Sequence, residues 1–167
     1  MPDLDEDRDY TEYAAGALPW LRRFAYLLCQ DWHRADDLVQ TTATQLYVHW
    51  KRAARVENLD AYTRKILVNT YLAEQRTSWW KRVTPQSDAG DGPAAENDLD
   101  AAMDVRRALA ALPPRQRAAV VLRYYGGLSV DETAAALGCS NTNVRSQTSR
   151  GLATLRLGLE QSQVSTA

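Results

Sequence analysis

The residues with the clearest chemical capability lie near the end of the chain, in the segment that follows Ser140. At helical spacing, one side of this segment carries Thr142, Arg145, Ser146, Ser149 and Arg150. No acidic residue occurs between Glu132 and Glu160. In the DNA major groove, arginine reads guanine and serine hydrogen-bonds several base edges. The segment therefore predicts a nucleic-acid-binding face, and the plainer alternative is a helical hairpin whose arginines are simply solvated.

A second basic region, residues 51–82, mixes cations with aromatic side chains. It holds eight basic residues against three acidic ones, and its cations include Arg52, Arg55, Arg64, Lys65 and Arg76. The interleaved aromatic residues are Tyr62, Tyr71, Trp79 and Trp80. Because unstacked bases are held by aromatic rings and cations, this region predicts capture of single-stranded nucleic acid. Tyr62 and Tyr71 could equally belong to the core.

The charge distribution supports two separate binding bodies. The formal net charge is only −1, which alone argues against a nucleic-acid binder. Residues 1–12 hold six acidic residues and one basic residue, whereas residues 13–77 hold nine basic and six acidic ones. Residues 99–167 hold eight basic and five acidic ones. Local potential governs attraction to phosphates, so each basic body can bind DNA in spite of the total.

Other candidate sites lack the residues that they would need. Cys29 and His33 are four positions apart but have no third metal ligand nearby, and Asp36 and Asp37 have no nucleophile or phosphate-binding loop beside them. We therefore expect no metal, no cofactor and no enzymatic activity. The acidic N-terminus does not resemble a secretory signal, and no apolar run is long enough for a membrane helix, so we expect a cytoplasmic protein that does not enter membranes.

Helical periodicity in the first half predicts three helices. The first starts near Pro19, the second is capped by Asp31 and continues to Trp50, and the third is capped by Asn58 and covers residues 59–76. Their inward-facing residues are expected to be Leu21, Phe24, Leu27, Leu28, Ala35, Val39, Ala43, Leu46, Trp50, Tyr62, Ile66 and Leu72.

A linker separates the two halves of the chain. Residues 84–98 contain two prolines and two glycines with almost nothing to bury, which is typical of a flexible connector. Helices are expected over residues 99–112 and 114–125, divided by the proline pair. Residues 1–9 and 159–167 are expected to be disordered tails.

The most specific local pattern is a helix-turn-helix. Ser129 and Glu132 form a capping box that opens a short helix, Gly138 begins a three-residue turn, and Ser140 caps a last helix over residues 141–157. Its buried side is expected to carry Val144, Thr148, Gly151 and Leu155. The second helix of such a motif enters the major groove.

Two independent motif sets resemble bacterial sigma-70-type initiation factors. The chain reads LPPRQR at 112–117, VVLRYY at 120–125, LGCS at 137–140, VRS at 144–146 and RGL at 150–152, which resembles region four. FAYLL at 24–28 and ADDLVQ at 35–40 resemble region two. With no room for other regions, the chain is similar to the small extracytoplasmic-function (ECF) group and, within it, to an actinobacterial SigE-like subgroup.

The resemblance implies a fold, a function and partners. It implies an all-α chain in which a region-two bundle at 10–83 and a region-four helix-turn-helix at 99–158 are joined by the 84–98 linker. Such a protein binds core RNA polymerase through the clamp helices and the flap of the large subunits, directs it to promoter DNA and helps to open the duplex. The resemblance leaves open an anti-sigma partner.

The same resemblance assigns roles to individual residues. Polymerase binding maps onto Asp37, Leu38, Gln40 and Thr41. Recognition of the minus-thirty-five element maps onto Arg145, Ser146, Ser149 and Arg150, with Thr142 at the entry of the groove. Near the melted minus-ten element, the loop 52–60 would trap a flipped base and Asn69 would lie beside the strand, joined by Arg52, Arg55, Arg64, Lys65 and Arg76.

Two other functions fit parts of the sequence. A stand-alone helix-turn-helix regulator would use the second half alone, but such regulators usually dimerise and no dimerisation helix follows Leu157. An interaction protein that binds polymerase or a regulator without acting on DNA would bind but would not melt a promoter.

Overall fold

A computed structural model describes residues 3–80 and 99–165, and all of the regular structure in these ranges is helical. This confirms the all-α prediction. The predicted linker at 84–98 lies outside the described residues. The helices are α1 (Leu4–Cys29), α2 (Trp32–Val48), α3 (Trp50–Ala53), α4 (Leu59–Trp80), α5 (Leu99–Ala110), α6 (Pro114–Val120, continued as a π-helical turn over Val121–Tyr125), α7 (Val130–Leu137) and α8 (Asn141–Ser165).

Local capping signals place most helix starts where the sequence predicts them. The Asp31 carboxylate accepts hydrogen bonds from the backbone N–H groups of the first turn of α2, and the Asn58 Oδ1 accepts one from the first turn of α4. Ser129 and Glu132 form the predicted reciprocal capping box of α7. Ser140 Oγ accepts a hydrogen bond from the first turn of α8. Side-chain acceptors satisfy N–H groups that have no partner within the helix.

The predicted disordered tail at 1–9 is wrong for residues 4–9, and the predicted start near Pro19 is also wrong. Helix α1 begins at Leu4, is capped by Asp3, and passes through Pro19. Acidic residues in its first turn complement the helix dipole. The additional turns are fixed by tertiary contacts, because Tyr10 and Tyr13 pack against the ring of Trp50 on α3.

The predicted disordered tail at 159–167 is likewise wrong through residue 165. Helix α8 continues eight residues beyond the predicted end at Leu157. Its second half lies against α5, where Gly158 approaches Ala108 closely. The contact with α5 therefore stabilises the turns of α8 beyond Leu157, where the sequence predicted no helix.

The two halves of the chain share one buried core. Helices α1 and α4 of the first half contact α5, α6 and α7 of the second half. Leu28 and Tyr71 from the first half are fully buried in the same cluster as Leu122 from the second. The halves therefore pack directly on each other in this arrangement, rather than being connected by the linker alone.

Arg117 on α6 makes the most extensive polar contact between the halves. Its guanidinium donates hydrogen bonds to Leu28 O at 2.6 Å and to Tyr71 Oη at 3.0 Å, both in the first half. Within its own half it donates to Leu109 O at 2.8 Å, Ala110 O at 3.0 Å and Leu112 O at 2.9 Å. One side chain therefore satisfies the last carbonyls of α5 and fastens α6 to α1 and α4.

Two glycines in helices differ in what surrounds them. A Cβ atom at Gly151 on α8 would lie 2.7 Å from Val120 Cγ2 on α6, because the two helices cross there. A Cβ atom at Gly16 on α1 would have nothing within 4 Å. Gly151 is therefore required by packing, whereas Gly16 is not.

This contrast gives a paired stability prediction. Gly151→Ala should lower the free energy of unfolding by about 1–3 kcal/mol, because the new methyl group overpacks a β-branched side chain. Gly16→Ala should raise it by up to about 1 kcal/mol, because alanine is the better helix former. Urea denaturation of both variants measures the two effects, and equal shifts would contradict the close crossing of α6 and α8.

Candidate nucleic-acid and polymerase interface

The outward face of α8 brings the first predicted set together. Its exposed members are Thr142, Arg145, Ser149 and Arg150, and Ser146 is half-buried. The opposite side holds Val144, Thr148 and Gly151, all buried as predicted. Helix α7 helps to orient α8 through a hydrogen bond: Asp131 Oδ1 of α7 accepts from Asn141 Nδ2 of α8 at 2.5 Å. A rigid helix thus presents hydroxyls and guanidinium groups on one side, as readout of base edges requires.

Two amide side chains on α8 were missed from the sequence. Asn143 is exposed in the first turn, and Gln147 is half-buried one turn later. Both lie at the margin of the face that carries Arg150. Counting 100° per residue would have placed them there. Asparagine and glutamine pair with adenine in the major groove, so these residues extend the chemistry of the face beyond guanine.

The second predicted set is spread over α3, the loop after it, and α4. Arg52 and Arg55 are exposed on α3 and the following turn. Lys65, Asn69 and Arg76 are exposed on one face of α4, because their spacings of four and seven residues return to the same side of a helix. The structure therefore offers an exposed cationic face with one amide in it.

Arg64 does not share this face of α4. It is half-buried, and its guanidinium lies 5.0 Å from the centre of the Trp20 ring. The side chain adjoins a hollow that also involves Tyr125 of the second half. In this arrangement Arg64 packs between elements, and its availability to DNA depends on how the halves are placed.

Fewer aromatic side chains of this region are free to stack on nucleic-acid bases than their number in the sequence indicates. Tyr71 is fully buried, and its hydroxyl accepts the hydrogen bond from Arg117, so it belongs to the core alternative. Tyr62 is half-buried against the cluster around Leu46 and Trp50. The side chains of Trp79 and Trp80 lie outside the described part of the chain.

The predicted polymerase-binding residues divide into two groups. Asp37, Gln40 and Thr41 are exposed on α2. Leu38 is 1% exposed and packs into the main core, so in this arrangement it does not belong to the exposed face of α2. On a helix, Leu38 lies three residues after the buried Ala35 and therefore falls on the same inward side.

A hollow beside this α2 face was not predicted. It has a volume of about 710 Å³ and is bounded by Arg34, Asp37 and Thr41 of α2 and by Asn69 and Glu74 of α4. Burial raises the pKa of the Glu74 carboxyl. The exposed α2 residues and the face of α4 are therefore parts of one continuous surface.

A second hollow lies between the two halves. It has a volume of about 660 Å³, with Asn69 and Arg76 of α4 on one side and Gln147 and Arg150 of α8 on the other. Members of both predicted DNA-binding sets thus line the same cavity. In this arrangement neither set is open to a long ligand along its whole length.

The remaining candidate groups have structural contacts. Cys29 is buried, its Sγ donates to Ala25 O at 3.1 Å, and burial raises the pKa of its thiol. Asp36 accepts a hydrogen bond from Arg22 Nε at 2.6 Å. Residues 3–80 and 99–165 contain no cluster of three metal-binding side chains. Over the same ranges, none of the helices combines the length and the apolar character that crossing a membrane requires.

Comparisons with known proteins agree on one family. Residues 15–81 match the family described as Sigma-70 region 2, and residues 102–155 match Sigma-70, region 4. The chain is 35% identical over 162 residues to the RNA polymerase sigma-E factor of Streptomyces coelicolor, covering 92% of this chain and 87% of that protein. It is 30% identical over 158 residues to the ECF RNA polymerase sigma factor EcfG of Rhodopseudomonas palustris, covering 90% and 83%.

A solved structure has the same arrangement of helices. The sigma factor RpoE of Bartonella quintana, crystallised in complex with the anti-sigma factor NepR, superposes with a TM-score of 0.80 at 29% identity. The match covers 92% of this chain and 98% of that one. The similarity therefore includes both halves together.

Proposed function

We propose separate roles for the two halves of this chain. The chain belongs to the sigma-70 family and is an RNA polymerase sigma factor of the ECF type, and the proposal starts from this fact. It binds core RNA polymerase, directs it to promoters and helps to open the DNA for initiation. It is a non-enzymatic subunit, so its residues recognise, position and separate strands while the polymerase carries out the chemistry.

The second half reads the minus-thirty-five element through α8. Arg145 and Arg150 contact guanine edges, and Thr142, Ser146 and Ser149 supply shorter hydrogen bonds. The support for this is the outward clustering of these side chains on a helix that is anchored by a capped helix-turn-helix. Arginine contacts to bases confer specificity, whereas arginine contacts to phosphates would only strengthen binding.

The first half holds the minus-ten element. Lys65, Asn69 and Arg76 follow one strand along α4, and Arg52 and Arg55 hold the loop where a base leaves the stack. The exposure of all five side chains, and the common face of α4 that carries Lys65, Asn69 and Arg76, support this role. Arg64 lies off this face, over the Trp20 ring of α1, and becomes more exposed to DNA when Tyr125 and the rest of the second half move away.

In the arrangement described above the two halves pack on each other, and we call this the closed form. It must open before both promoter elements are read. The two promoter elements are numbered about 25 base pairs apart, which is roughly 85 Å at 3.4 Å per pair. Asn69, Arg76 and Arg150 line one 660 Å³ cavity, so they cannot meet both elements from there. The observation that carries this part of the proposal is the placement of both DNA-binding sets around that one cavity.

The exposed α2 face binds the polymerase clamp helices. We predict that the triple variant Asp37→Ala, Gln40→Ala, Thr41→Ala weakens binding to core polymerase by about tenfold or more, with an unchanged melting temperature, because these side chains are solvated in the free chain. Binding is measured by competition for labelled core enzyme.

Leu38→Ala provides the matched comparison on the same helix. Because Leu38 is buried, this variant should lose about 2–5 kcal/mol of stability and should bind polymerase normally at temperatures where it is folded. A folded Leu38→Ala chain with weakened binding would contradict the assignment of the interface to the exposed residues.

The closed form is also a target for an anti-sigma partner. The superposition on a sigma factor in complex with an anti-sigma factor covers both halves, which supports a partner that holds them together. The partner would thereby keep both DNA-binding faces occluded.

The chain acts together with RNA polymerase on chromosomal DNA. We therefore expect it to act in the cytoplasm.

Run-off transcription with purified core polymerase tests the whole proposal. Genomic DNA fragments serve as templates, and the expected result is specific transcripts that require both the core enzyme and this chain. A stand-alone regulator would form a homodimer and bind DNA without core polymerase. An interaction protein would bind the polymerase and produce no transcript, and either result would overturn the proposal.

A further inference from the structure

The acidic residues of the first turns of α1 lie on two different sides of the helix. Glu6 and Asp7 point to the side of Tyr10 and are half-buried. Asp5 and Asp9 point away from it and are exposed. At 100° per residue the mean directions of the two pairs differ by about 130°, although Glu6 and Asp9 are only about 60° apart. Only the first pair faces the rest of the protein.

The inward pair meets the basic edge of the first half. Glu6 Oε2 lies 3.8 Å from Lys51 Nζ, and Asp7 Oδ1 accepts a hydrogen bond from Tyr47 Oη at 2.9 Å. A hollow of about 450 Å³ is lined by Asp3, Glu6 and Asp7 on one side and by residues 47–52 on the other. Carboxylates therefore border the open surface through which Lys51 and Arg52 would be reached.

We infer that the inward acidic face of α1 competes with DNA phosphates for the basic edge that Lys51 and Arg52 form and that Arg55 extends along the chain. This inference rests on the proposed function, since that edge must bind DNA. The ion pair is solvent-exposed, with 80% of the Lys51 side chain accessible, so it is weak and a phosphate can displace it. The acidic face thus lowers the affinity of the free chain for arbitrary DNA.

Local competition at the basic edge differs from general repulsion of DNA by the net negative charge, because it depends on where the carboxylates lie. Removing either pair changes the net charge equally, but of the two pairs only Glu6 and Asp7 line the hollow beside Lys51 and Arg52. At physiological salt the Debye length is about 8 Å, so distant charges are screened while adjacent ones are not. The two acidic faces of one helix therefore supply an internally matched comparison.

The experiment measures binding of a labelled random-sequence duplex to the full chain by fluorescence anisotropy. The test variant is Glu6→Gln/Asp7→Asn, which keeps the hydrogen-bonding atoms and removes two charges. The matched control is Asp5→Asn/Asp9→Asn. At about 0.15 M salt, we expect the test variant to bind roughly three- to tenfold more tightly than wild type, and the control to change by less than about twofold.

Two further measurements define the target of the acidic face. Adding Arg52→Ala/Arg55→Ala to the test variant should return its affinity to the wild-type value. Raising the salt concentration should reduce the difference between test variant and wild type. Melting temperatures within a few degrees of wild type establish that the variants are folded.

Equal tightening in both acidic pairs would overturn the inference, because net charge alone would then explain it. An unchanged affinity of the folded test variant would also overturn it. Failure of the proposed function is distinguishable: in that case Arg52→Ala/Arg55→Ala in the otherwise wild-type chain leaves run-off transcription with core polymerase unchanged.

Discussion

Replacing both Arg145 and Arg150 with alanine is expected to abolish most promoter-directed transcription while leaving the chain folded. Both side chains are exposed on α8 and make no contact that the fold needs. Each lost base contact costs about 1–3 kcal/mol of discrimination, so the double variant should lose roughly thirtyfold or more in specific initiation. Run-off transcription from a promoter that the wild-type chain uses measures the effect.

The control for this variant is Arg156→Ala. Arg156 is exposed on the same helix but lies six residues beyond Arg150. We expect the control to retain nearly full transcription. If the double variant initiates as well as wild type, or if it loses activity equally on all sequences, α8 does not read bases through these arginines.

Arg117→Ala should strongly lower the stability of the chain. It removes the guanidinium donor from Leu109 O, Ala110 O and Leu112 O of its own half and from Leu28 O and Tyr71 Oη of the first half; Leu109 O keeps the backbone N–H of Leu112. Buried acceptors without partners each cost about 1–3 kcal/mol, some of which water recovers, so we expect a total loss of about 3 kcal/mol. Chemical denaturation measures the loss.

The same variant should also separate the halves. Small-angle X-ray scattering should report a larger radius of gyration for Arg117→Ala than for wild type, because two of the lost hydrogen bonds cross between the halves. Arg107→Ala, which changes an exposed arginine on α5, should alter neither quantity. A stable and compact Arg117→Ala chain would show that apolar contacts alone hold the closed form.

Short-range signals made much of this fold predictable from the sequence. The Asp31, Asn58 and Ser140 caps and the Ser129–Glu132 box each act within three residues, so their outcome does not depend on the rest of the chain. The outward face of α8 followed from helical angles in the same way. Both motif sets could therefore be placed on the correct helices before any tertiary contact was known.

Features that depend on distant partners were not predictable from local patterns. The start of α1 is stabilised by rings about forty residues away on α3, and the end of α8 by α5. The closed packing of the halves depends on Arg117, whose partner Leu28 O is 89 positions away. Leu38 was assigned from a motif and not from its helical angle, which is why its burial was missed.

Arg117 keeps three of its five acceptors when the halves part, because Leu109, Ala110 and Leu112 travel with it. The guanidinium thus stays oriented by its own half, and only Nη1, which donated to both Leu28 O and Tyr71 Oη, loses its partners. Reclosure then needs no search through rotamers, and its entropic cost is correspondingly small. In the proposed cycle, the return from the open to the closed arrangement therefore requires little reordering of this side chain.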